Sequence, residues 1–388
     1  MAGTISESFN PRRNSLNFLR LALASIVLVS HAVLLAGFRV VDDINGTGFA
    51  EIAVYGFFGI SGYLIAGGAT RNRAGRYLWQ RFLRIFPAFW ICLLVTAFIF
   101  GVVGWLSQPA VAHCGLSCYF NARQNGPYSY VYKNLLLHID QTSIAGTPRG
   151  SLLPLDWNGS LWTLYSEFLC YLILMALALV GLLRRRGVVL IATMALWAVV
   201  AVIALTPSLD DKFSVFDNFA AFSLLKFASV FMIGAVIFLY RERIPDSAWL
   251  ALMCAGVYVA SLYWQSPSTH FTTSDIFVPL VAYPLLWLGI HLPLHRIGAR
   301  NDYSYRVYIY GVPVAQLLVI WGVEKWGLIP YTAMAIVCTI PLAVASWWAV
   351  EKHALKLKSL GMQTTAVSVP LATASRLLTQ ANDTVGPK

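Results

Sequence analysis

Long apolar runs, each close to 20 residues, alternate with short polar segments along almost the whole chain. A helix needs about 20 apolar residues to cross the hydrocarbon core of a bilayer, so each run predicts a membrane-spanning helix. The predicted spans lie at about 16–36, 50–69, 85–107, 160–183, 187–205, 221–240, 247–264, 275–291, 303–321 and 328–350. The pattern therefore predicts an all-α integral membrane protein with about ten transmembrane helices.

The composition excludes an ordinary soluble domain. Of 388 residues, 58% are hydrophobic and only 12% are charged, whereas a soluble domain carries about 25% charged residues. The net charge of +11 does not indicate a nucleic-acid partner, because Lys and Arg concentrate on one side of the predicted spans. Positively charged short loops stay in the cytoplasm, so we expect both termini there and a multi-pass protein of the inner (plasma) membrane. The lipid bilayer is then a partner, and the sequence predicts no particular oligomeric state.

The chain divides into a membrane domain and two tails. Residues 1–15 form the predicted cytoplasmic N-terminal tail, 16–353 the ten-helix domain, and 354–388 a flexible cytoplasmic tail. Residues 108–158 form a long extracytoplasmic loop, and loops of this length are usually functional or disordered. Cys114 and Cys118 of this loop could form a disulfide in an oxidising compartment or remain free. One neighbouring histidine does not complete a ligand set, so no metal site is predicted.

Two ionisable residues of the first apolar run are unusual for a membrane helix. Arg20 and His31 are eleven residues apart, close to three turns, which places both on one face about 16 Å apart along the axis. Arg20 lies near the cytoplasmic end, where its side chain could simply extend to the interface. His31 lies in the outer half, where it is either a packing residue or a general base, since imidazole titrates near neutrality.

A carboxylate occurs at a similar depth in the fourth predicted span. Glu167 lies about two turns below the outer surface, so we expect it to approach His31. A carboxylate beside an imidazole orients the ring and stabilises its protonated form, and the outer-loop Asp156 is the alternative partner. A structural ion pair is the competing interpretation, and the cost of burying such pairs makes it the weaker one.

Two further segments indicate a donor site on the cytoplasmic side. The segment "GFFGISGYLIAGG" holds small residues, including Ser61 and Gly62, which either let helices pack closely or leave room for an acyl chain or a pantetheine arm. The segment "RNRAGRYLWQRFLR" carries arginines that either determine topology or bind phosphate with paired hydrogen bonds. The predicted donor ligands in it are Arg71, Arg73, Arg81 and Arg84.

In order along the chain, these segments resemble the integral membrane acyltransferase-3 family. The matching pieces extend from about residue 16 to 353 and are the Arg20-x10-His31 spacing, "GFFGISGYLI", "RFLRIFPAFW", "NGSLWTLYSEF" and, more loosely, "DYSYRVYIYGVPV". The resemblance implies an enzyme that acylates sugars and other hydroxyl acceptors, here without a fused soluble hydrolase-like domain. It also implies acyl-CoA as a cytoplasmic co-substrate and no tightly bound cofactor.

The resemblance further implies residue roles. By position, His31 is the catalytic base, Arg20 its motif partner, and Glu167 the family's acidic residue after Trp-Thr-Leu. Arg81 and Arg84 match the basic motif proposed to serve the donor.

The sequence departs from the family pattern at two places. Gly311 stands before Pro313 where the family often has a histidine, and the last span closes with Glu351-Lys352-His353 instead of Glu-x-Pro. No site is assigned to either segment.

The predicted function is transfer of an acyl group, most simply acetyl, from cytosolic acyl-CoA to a hydroxyl of a cell-envelope carbohydrate or glycolipid. No serine or cysteine nucleophile is evident beside His31, so direct transfer is favoured over an acyl-enzyme. The long loop is expected to shape acceptor specificity, and the predicted acceptor contacts are Asp156, Trp157, Asn158 and Trp162.

Two other classes remain open. A proton-coupled transporter would also use intramembrane His and Glu residues, although the sequence shows no duplicated halves with broken helices, which many carriers have. A scaffold without catalysis would not need Arg20, His31 and Glu167 at related positions.

Overall fold

The structure is a computed structural model that describes residues 3–39, 43–108, 115–206, 219–264, 271–299 and 301–357. Its long helices, numbered in chain order, are α1 (Leu16–Leu35), α2 (Phe49–Arg71), α3 (Ala74–Val95), α4 (Thr163–Leu179), α5 (Arg186–Leu205), α6 (Phe219–Leu239), α7 (Ala248–Ser261), α8 (Ala282–His291), α9 (Ser304–Ile320) and α10 (Leu328–Ser346).

Shorter elements extend or connect these helices. A π-helical turn lengthens α3 (Thr96–Phe100, followed by helix Gly101–Leu106), and another lengthens α10 (Trp347–Glu351, followed by Lys352–Lys356). The remaining elements are short helices at Ile5–Ser8, Gly115–Phe120 and Pro127–Asn134, 3₁₀ turns at Leu182–Arg184, Thr273–Ile276, Val278–Val281 and Val323–Trp326, and an antiparallel pair of strands, β1 (Asp43–Ile44) and β2 (Thr47–Gly48).

The predicted class, a helical membrane protein, is confirmed. Among the described residues, six helices are long and apolar enough to cross a membrane, and the longest is the continuous helix Ala74–Leu106. Four apolar helices are shorter, at Thr163–Leu179, Ala248–Ser261, Val278–His291 and Ser304–Ile320. Ten spans and cytoplasmic termini therefore stay predictions.

The bundle has two ends with different chemistry. At the end where α1 begins, the backbone N–H of Ile5 donates to the carbonyl of Ile244 and the Ser15 hydroxyl donates to the carbonyl of Leu292. At the other end, the Leu152 N–H donates to the carbonyl of Leu35, so the long loop covers the end of α1. We call these the arginine end and the loop end.

The third helix begins eleven residues earlier than its apolar run predicts. Residues 74–84 are too polar to be a membrane span, but they are amphipathic: Tyr77 and Leu83 are buried while Arg76 is exposed. A buried face on one side of a helix is enough to stabilise it against its neighbours. Consequently, Arg81 and Arg84 lie on a helix and not in a loop.

The glycine-rich segment of α2 is a helix-packing surface. A Cβ added to Gly62 would lie 1.9 Å from the carbonyl oxygen of Phe231 on α6, and one added to Gly234 would lie 2.2 Å from the carbonyl oxygen of Gly59. The two backbones are therefore in direct contact, as small residues allow in membrane helices. This geometry corrects the expectation that Gly62 leaves room for an acyl donor, and its neighbour Ser61 is buried as well.

The long loop folds onto the bundle. The Trp157 side chain is fully buried, and its indole N–H donates to the Thr147 hydroxyl at 2.9 Å. Cys118 is disulfide-bonded. Cys114, the partner that the sequence left open, lies outside the described residues, as do positions 358–388 of the predicted C-terminal tail.

Candidate functional site

His31 has one ring nitrogen fixed by a hydrogen bond, and its other ring nitrogen has no hydrogen-bond partner in the part of the chain that the structure describes. Its Nδ1 lies 2.9 Å from the carbonyl oxygen of Val27, one turn earlier on α1. A carbonyl oxygen only accepts hydrogen bonds, so Nδ1 carries the proton and the neutral ring keeps its lone pair on Nε2. This is the tautomer that a general base acting through Nε2 needs.

His31 lines a cavity of about 370 Å³ at the loop end. The walls come from α1, α2, α4, α6 and α9 and from the segments that precede α2, α4 and α8. Besides His31, the lining residues are Gly46, Thr47, Ala50, Glu51, Val54, Ser160, Trp162, Thr163, Phe222, Ser223, Lys226, Phe227, Thr272, Asp275 and Tyr308. The cavity is thus large enough for a small ligand, with an aromatic wall and several hydroxyl groups.

The aromatic wall is formed by Trp162 and Phe227. Their rings stack with centroids 5.7 Å apart and planes 30° apart. Phe227 is buried and also stacks on Phe58, so Trp162 is the more accessible of the two rings. A flat apolar ring face packs well against the C–H face of a sugar ring, while the hydroxyls around it offer hydrogen bonds. Of the four predicted acceptor contacts, Trp162 is the one that the structure places in this cavity.

The other three predicted acceptor residues hold the loop in place. Trp157 is buried as described above, and the side-chain amide of Asn158 donates to the carbonyl of Ile309 at 2.8 Å. Asp156 accepts the backbone N–H of Asn158, and burial raises the pKa of its carboxyl, an effect that this hydrogen bond partly offsets. Their burial corrects the expectation that Trp157 and Asn158 face an acceptor.

A charged cluster in the same cavity was not predicted from the sequence. Lys226 of α6 places its Nζ 2.8 Å from Oδ2 of Asp275 and 3.8 Å from Oε1 of Glu51. The hydroxyl of Tyr55, one turn after Glu51 on α2, donates to the same Oε1 at 2.5 Å. A lysine in the middle of an apolar run was the signal that could have found the cluster, because such a charge in a membrane helix is costly and marks a functional site by default.

Glu167 does not lie in the cavity with His31. It lines a small pocket of about 30 Å³ together with Arg20, closer to the arginine end, and accepts a hydrogen bond from the Tyr171 hydroxyl. We expected a carboxylate to be hydrogen-bonded to Nδ1 of His31, but the partner of Nδ1 is the backbone carbonyl of Val27. The expected orientation of His31 by Glu167 or Asp156 is therefore corrected.

The two cavities share a thin wall. Val54, Thr163 and Tyr308 line both of them. The hydroxyls of Thr163 and Tyr308 are hydrogen-bonded to each other, and the Tyr308 hydroxyl also lies 2.9 Å from the carbonyl oxygen of Ser160. One layer of side chains thus separates the pocket of Arg20 and Glu167 from that of His31.

Arg20 and Arg84 bind one carboxylate. Oδ2 of Asp302, just before α9, lies 2.7 Å from Nη1 of Arg20 and 2.6 Å from Nη2 of Arg84. Burial acts to raise the pKa of Asp302, but the two arginines outweigh it and, with the Ser304 hydroxyl, hold the pKa well below its usual range. This pairing ties α1, α3 and α9 together and uses part of the positive charge predicted for the donor.

The other predicted donor arginines differ in environment. Arg81 lies near Tyr77, with its guanidinium 6.0 Å from the ring centroid, and its buried Nε has no hydrogen-bond partner within the described part of the chain. Arg73 is exposed at the start of α3. Arg71 lines a basic cavity of about 630 Å³ at the arginine end, whose other lining residues with basic side chains are Arg12, Arg241 and His295.

The basic cavity lies directly below the pocket of Arg20. Asn17 and Leu64 line the basic cavity, while Arg20 and Phe57 line the small pocket. Asn17 and Arg20 are three residues apart on α1, and Phe57 and Leu64 are seven apart on α2, so each pair lies on one helix face. The basic cavity is therefore about 5–10 Å closer to the arginine end than the small pocket is.

Cavities at both ends of a helical membrane bundle, one basic and one holding a histidine with a free Nε2, define a membrane protein suited to group transfer or transport. Residues 13–348 match the model of the acyltransferase-3 family, described as an acyltransferase domain. The chain belongs to this family, which confirms the resemblance seen in its motifs.

Two relatives cover nearly the whole chain. One is an O-acetyl transferase of Shigella phage Sf6, 27% identical over 351 residues, covering 90% of this chain and 98% of the relative. The other is nodulation protein 10 of Rhizobium leguminosarum bv. viciae, 28% identical over 384 residues, covering 92% and 97%. No solved structure shows a significant match to the chain.

Proposed function

We propose that this membrane acyltransferase moves an acyl group, most simply acetyl, from cytosolic acyl-CoA to a hydroxyl of an extracytoplasmic carbohydrate or glycolipid. The observation that carries the proposal is the free Nε2 of His31, whose tautomer is fixed by Val27, in a cavity with an aromatic wall. The arginine end then faces the cytoplasm, in agreement with the distribution of Lys and Arg. The O-acetyl transferase name of the phage relative supports acetyl as the simplest group.

The donor enters at the arginine end. Arg71, Arg12 and Arg241 supply positive charge to a cavity large enough for a nucleotide, and arginine matches phosphate geometry. Arg84 shares Asp302 with Arg20, which lines the small pocket, and we assign Arg81, three residues earlier on the same helix, to the same donor route. The thioester arm extends from there into the pocket of Glu167 and reaches the wall formed by Tyr308 and Thr163.

The chemical step takes place where the two cavities meet. The acceptor hydroxyl gives its proton to Nε2 of His31 as its oxygen attacks the thioester carbonyl carbon. The carbon–sulfur bond then breaks, the CoA sulfur takes up the proton, and the acyl oxygen ester remains on the acceptor. For the reacting atoms to meet, the side chains of Tyr308 and Thr163 must move apart, because they separate the donor pocket from His31.

The proposal is tested by CoA release from acetyl-CoA by the purified protein in lipid, with extracted cell-envelope carbohydrate as acceptor. His31→Gln keeps a polar side chain of similar size but removes the base, and general base catalysis contributes about 10²–10⁴-fold. We expect acceptor-dependent release in the wild type and a loss of that size in the variant, with acetyl-CoA binding retained. Equal rates in both proteins would contradict the assignment of His31.

A proton-coupled carrier is the second candidate. The observation that favours it is the pair of cavities separated by a single layer of side chains, an arrangement that alternating access also requires. A carrier would accumulate substrate in sealed vesicles without acyl-CoA, whereas the acyltransferase requires the thioester and releases CoA.

A further inference from the structure

The charged cluster lies in the same cavity as the proposed base but comes from other elements. Glu51 is in the first turn of α2, Lys226 is on α6, and Asp275 is in the 3₁₀ turn Thr273–Ile276. All three line the cavity of His31. The mechanism proposed above uses none of them.

The three charges are not equivalent. The side chains of Asp275 and Lys226 are only 4% and 13% exposed and form a close pair at 2.8 Å. The backbone N–H of Thr272 also donates to Oδ2 of Asp275 at 2.8 Å, which fixes this carboxylate. Glu51 is different, because its side chain is 39% exposed and lies 3.8 Å from Lys226.

Glu51 has one oxygen engaged and one available. Oε1 accepts the hydrogen bond from the Tyr55 hydroxyl and faces Lys226. Within the described residues, Oε2 of Glu51 has no hydrogen-bond partner. A carboxylate oxygen of a partly exposed side chain in a cavity can accept a hydrogen bond from a ligand hydroxyl, because an ionised carboxylate is only an acceptor.

The cavity carries a net negative charge. Lys226 compensates one of the two carboxylates, and an imidazole that acts as a general base is neutral, so with both carboxylates ionised the lining keeps one uncompensated negative charge. A like charge brought into a low-dielectric cavity is strongly disfavoured. The lining therefore favours a hydroxyl-bearing, uncharged ligand over an anionic one.

From this arrangement we propose that Glu51 binds a second hydroxyl of the acceptor and, with the Lys226–Asp275 pair, restricts the acceptor to uncharged carbohydrate. The proposal rests on the proposed function, since it assigns the acceptor of that reaction. One acceptor hydroxyl is then held at Oε2 of Glu51 while another reaches Nε2 of His31. Glu51 is thus a specificity-determining residue.

The test uses acetyl-CoA with a labelled acetyl group and carbohydrate extracted from the cell envelope. Anion exchange separates the extract into an uncharged and an anionic fraction, and the purified protein in lipid is offered both together. The readout is the ratio of label in the two fractions, which does not depend on how much of the protein is folded. For the wild type we expect label predominantly in the uncharged fraction.

Glu51→Gln keeps the size of the side chain and removes its charge. We expect it to lower the ratio of uncharged to anionic label by about tenfold, since it removes the uncompensated charge. Asp140→Asn is the matched control, because Asp140 is a loop-end carboxylate outside the cavity, and its ratio should equal that of the wild type.

The possible outcomes separate the two proposals. Label in the anionic fraction of the wild type, or an unchanged ratio in Glu51→Gln, overturns the role of Glu51 but leaves the acyltransferase reaction in place. An absence of label in both fractions, with the wild type folded and binding acetyl-CoA, contradicts the proposed function itself.

Discussion

The pairing of Asp302 with two arginines gives a stability prediction of defined size. The variant Asp302→Asn keeps the shape of the side chain but removes its charge, so Arg20 and Arg84 lose their common counter-ion. Their side chains are only 9% and 28% exposed. Removing one partner of a buried ion pair costs about 3–5 kcal/mol, and because Arg84 is partly accessible to water we expect about 3 kcal/mol, the lower limit.

The assay is equilibrium unfolding in mixed detergent micelles, followed by far-UV circular dichroism. Asp140→Asn is the control, because Asp140 and its partner His138 have half-exposed side chains, 52% and 54%, and exposed pairs contribute less than about 1 kcal/mol. If Asp302→Asn unfolds at the same point as this control, the two arginines are not held by Asp302 and the reasoning is refuted.

The pH dependence of the same difference provides a second check. The arginines lower the pKa of Asp302 in the folded protein, so its stabilisation is present above the pKa of an unfolded aspartate, about 4, and is lost only as pH falls toward the lower folded value. The difference between wild type and Asp302→Asn should therefore stay constant between about pH 5 and pH 8. A difference that shrinks toward pH 5 would show that the carboxyl titrates much higher than this geometry requires.

Three further predictions follow from the packing and the two cavities. Gly62→Ala should destabilise the protein by about 3 kcal/mol in the same unfolding assay, because its Cβ would lie 1.9 Å from the carbonyl oxygen of Phe231. The control Gly187→Ala should be neutral, because no atom lies within 4 Å of the added Cβ, and equal destabilisation by both variants would contradict the packing. Tyr308→Phe removes the hydrogen bond between the Tyr308 and Thr163 hydroxyls in the wall between the cavities, which is worth about 1 kcal/mol. The variant should raise the rate of CoA release without acceptor about fivefold, and an unchanged rate would argue against this wall as a barrier. Arg71→Ala should raise the KM for acetyl-CoA about tenfold with kcat retained, and an unaltered KM would place the donor phosphates elsewhere.

Hydrophobic patterning and motif order were sufficient for the class of the protein. Apolar runs near 20 residues predicted a helical membrane protein, and five segments in family order, the spacing of Arg20 and His31 among them, led to the family. The boundaries of α3 were wrong because average hydropathy does not detect an amphipathic start. The glycines of α2 were open to two interpretations, and only the positions of Gly62 and Phe231 in space favour packing.

The contacts of the candidate site depended on tertiary structure. Glu167 and His31 occur at similar predicted depths, but depth alone does not say which face a side chain occupies, and they line different cavities. Asp302 begins the segment "DYSYRVYIYGVPV", which resembles the family only loosely, and nothing in that segment indicated that its carboxylate would pair with Arg20. Lys226 was visible as a charge in a span, but its partner Asp275 is far away along the chain.

The central claim is that the donor and the acceptor approach His31 from opposite sides of the membrane. The direct test uses sealed vesicles that contain the protein, with labelled acetyl-CoA outside and extracted envelope carbohydrate either inside or outside. We expect acetylated carbohydrate when the acceptor is inside, made by the molecules whose arginine end faces the outside donor, and none when both are only outside. Equal product with both on the same side would contradict the account.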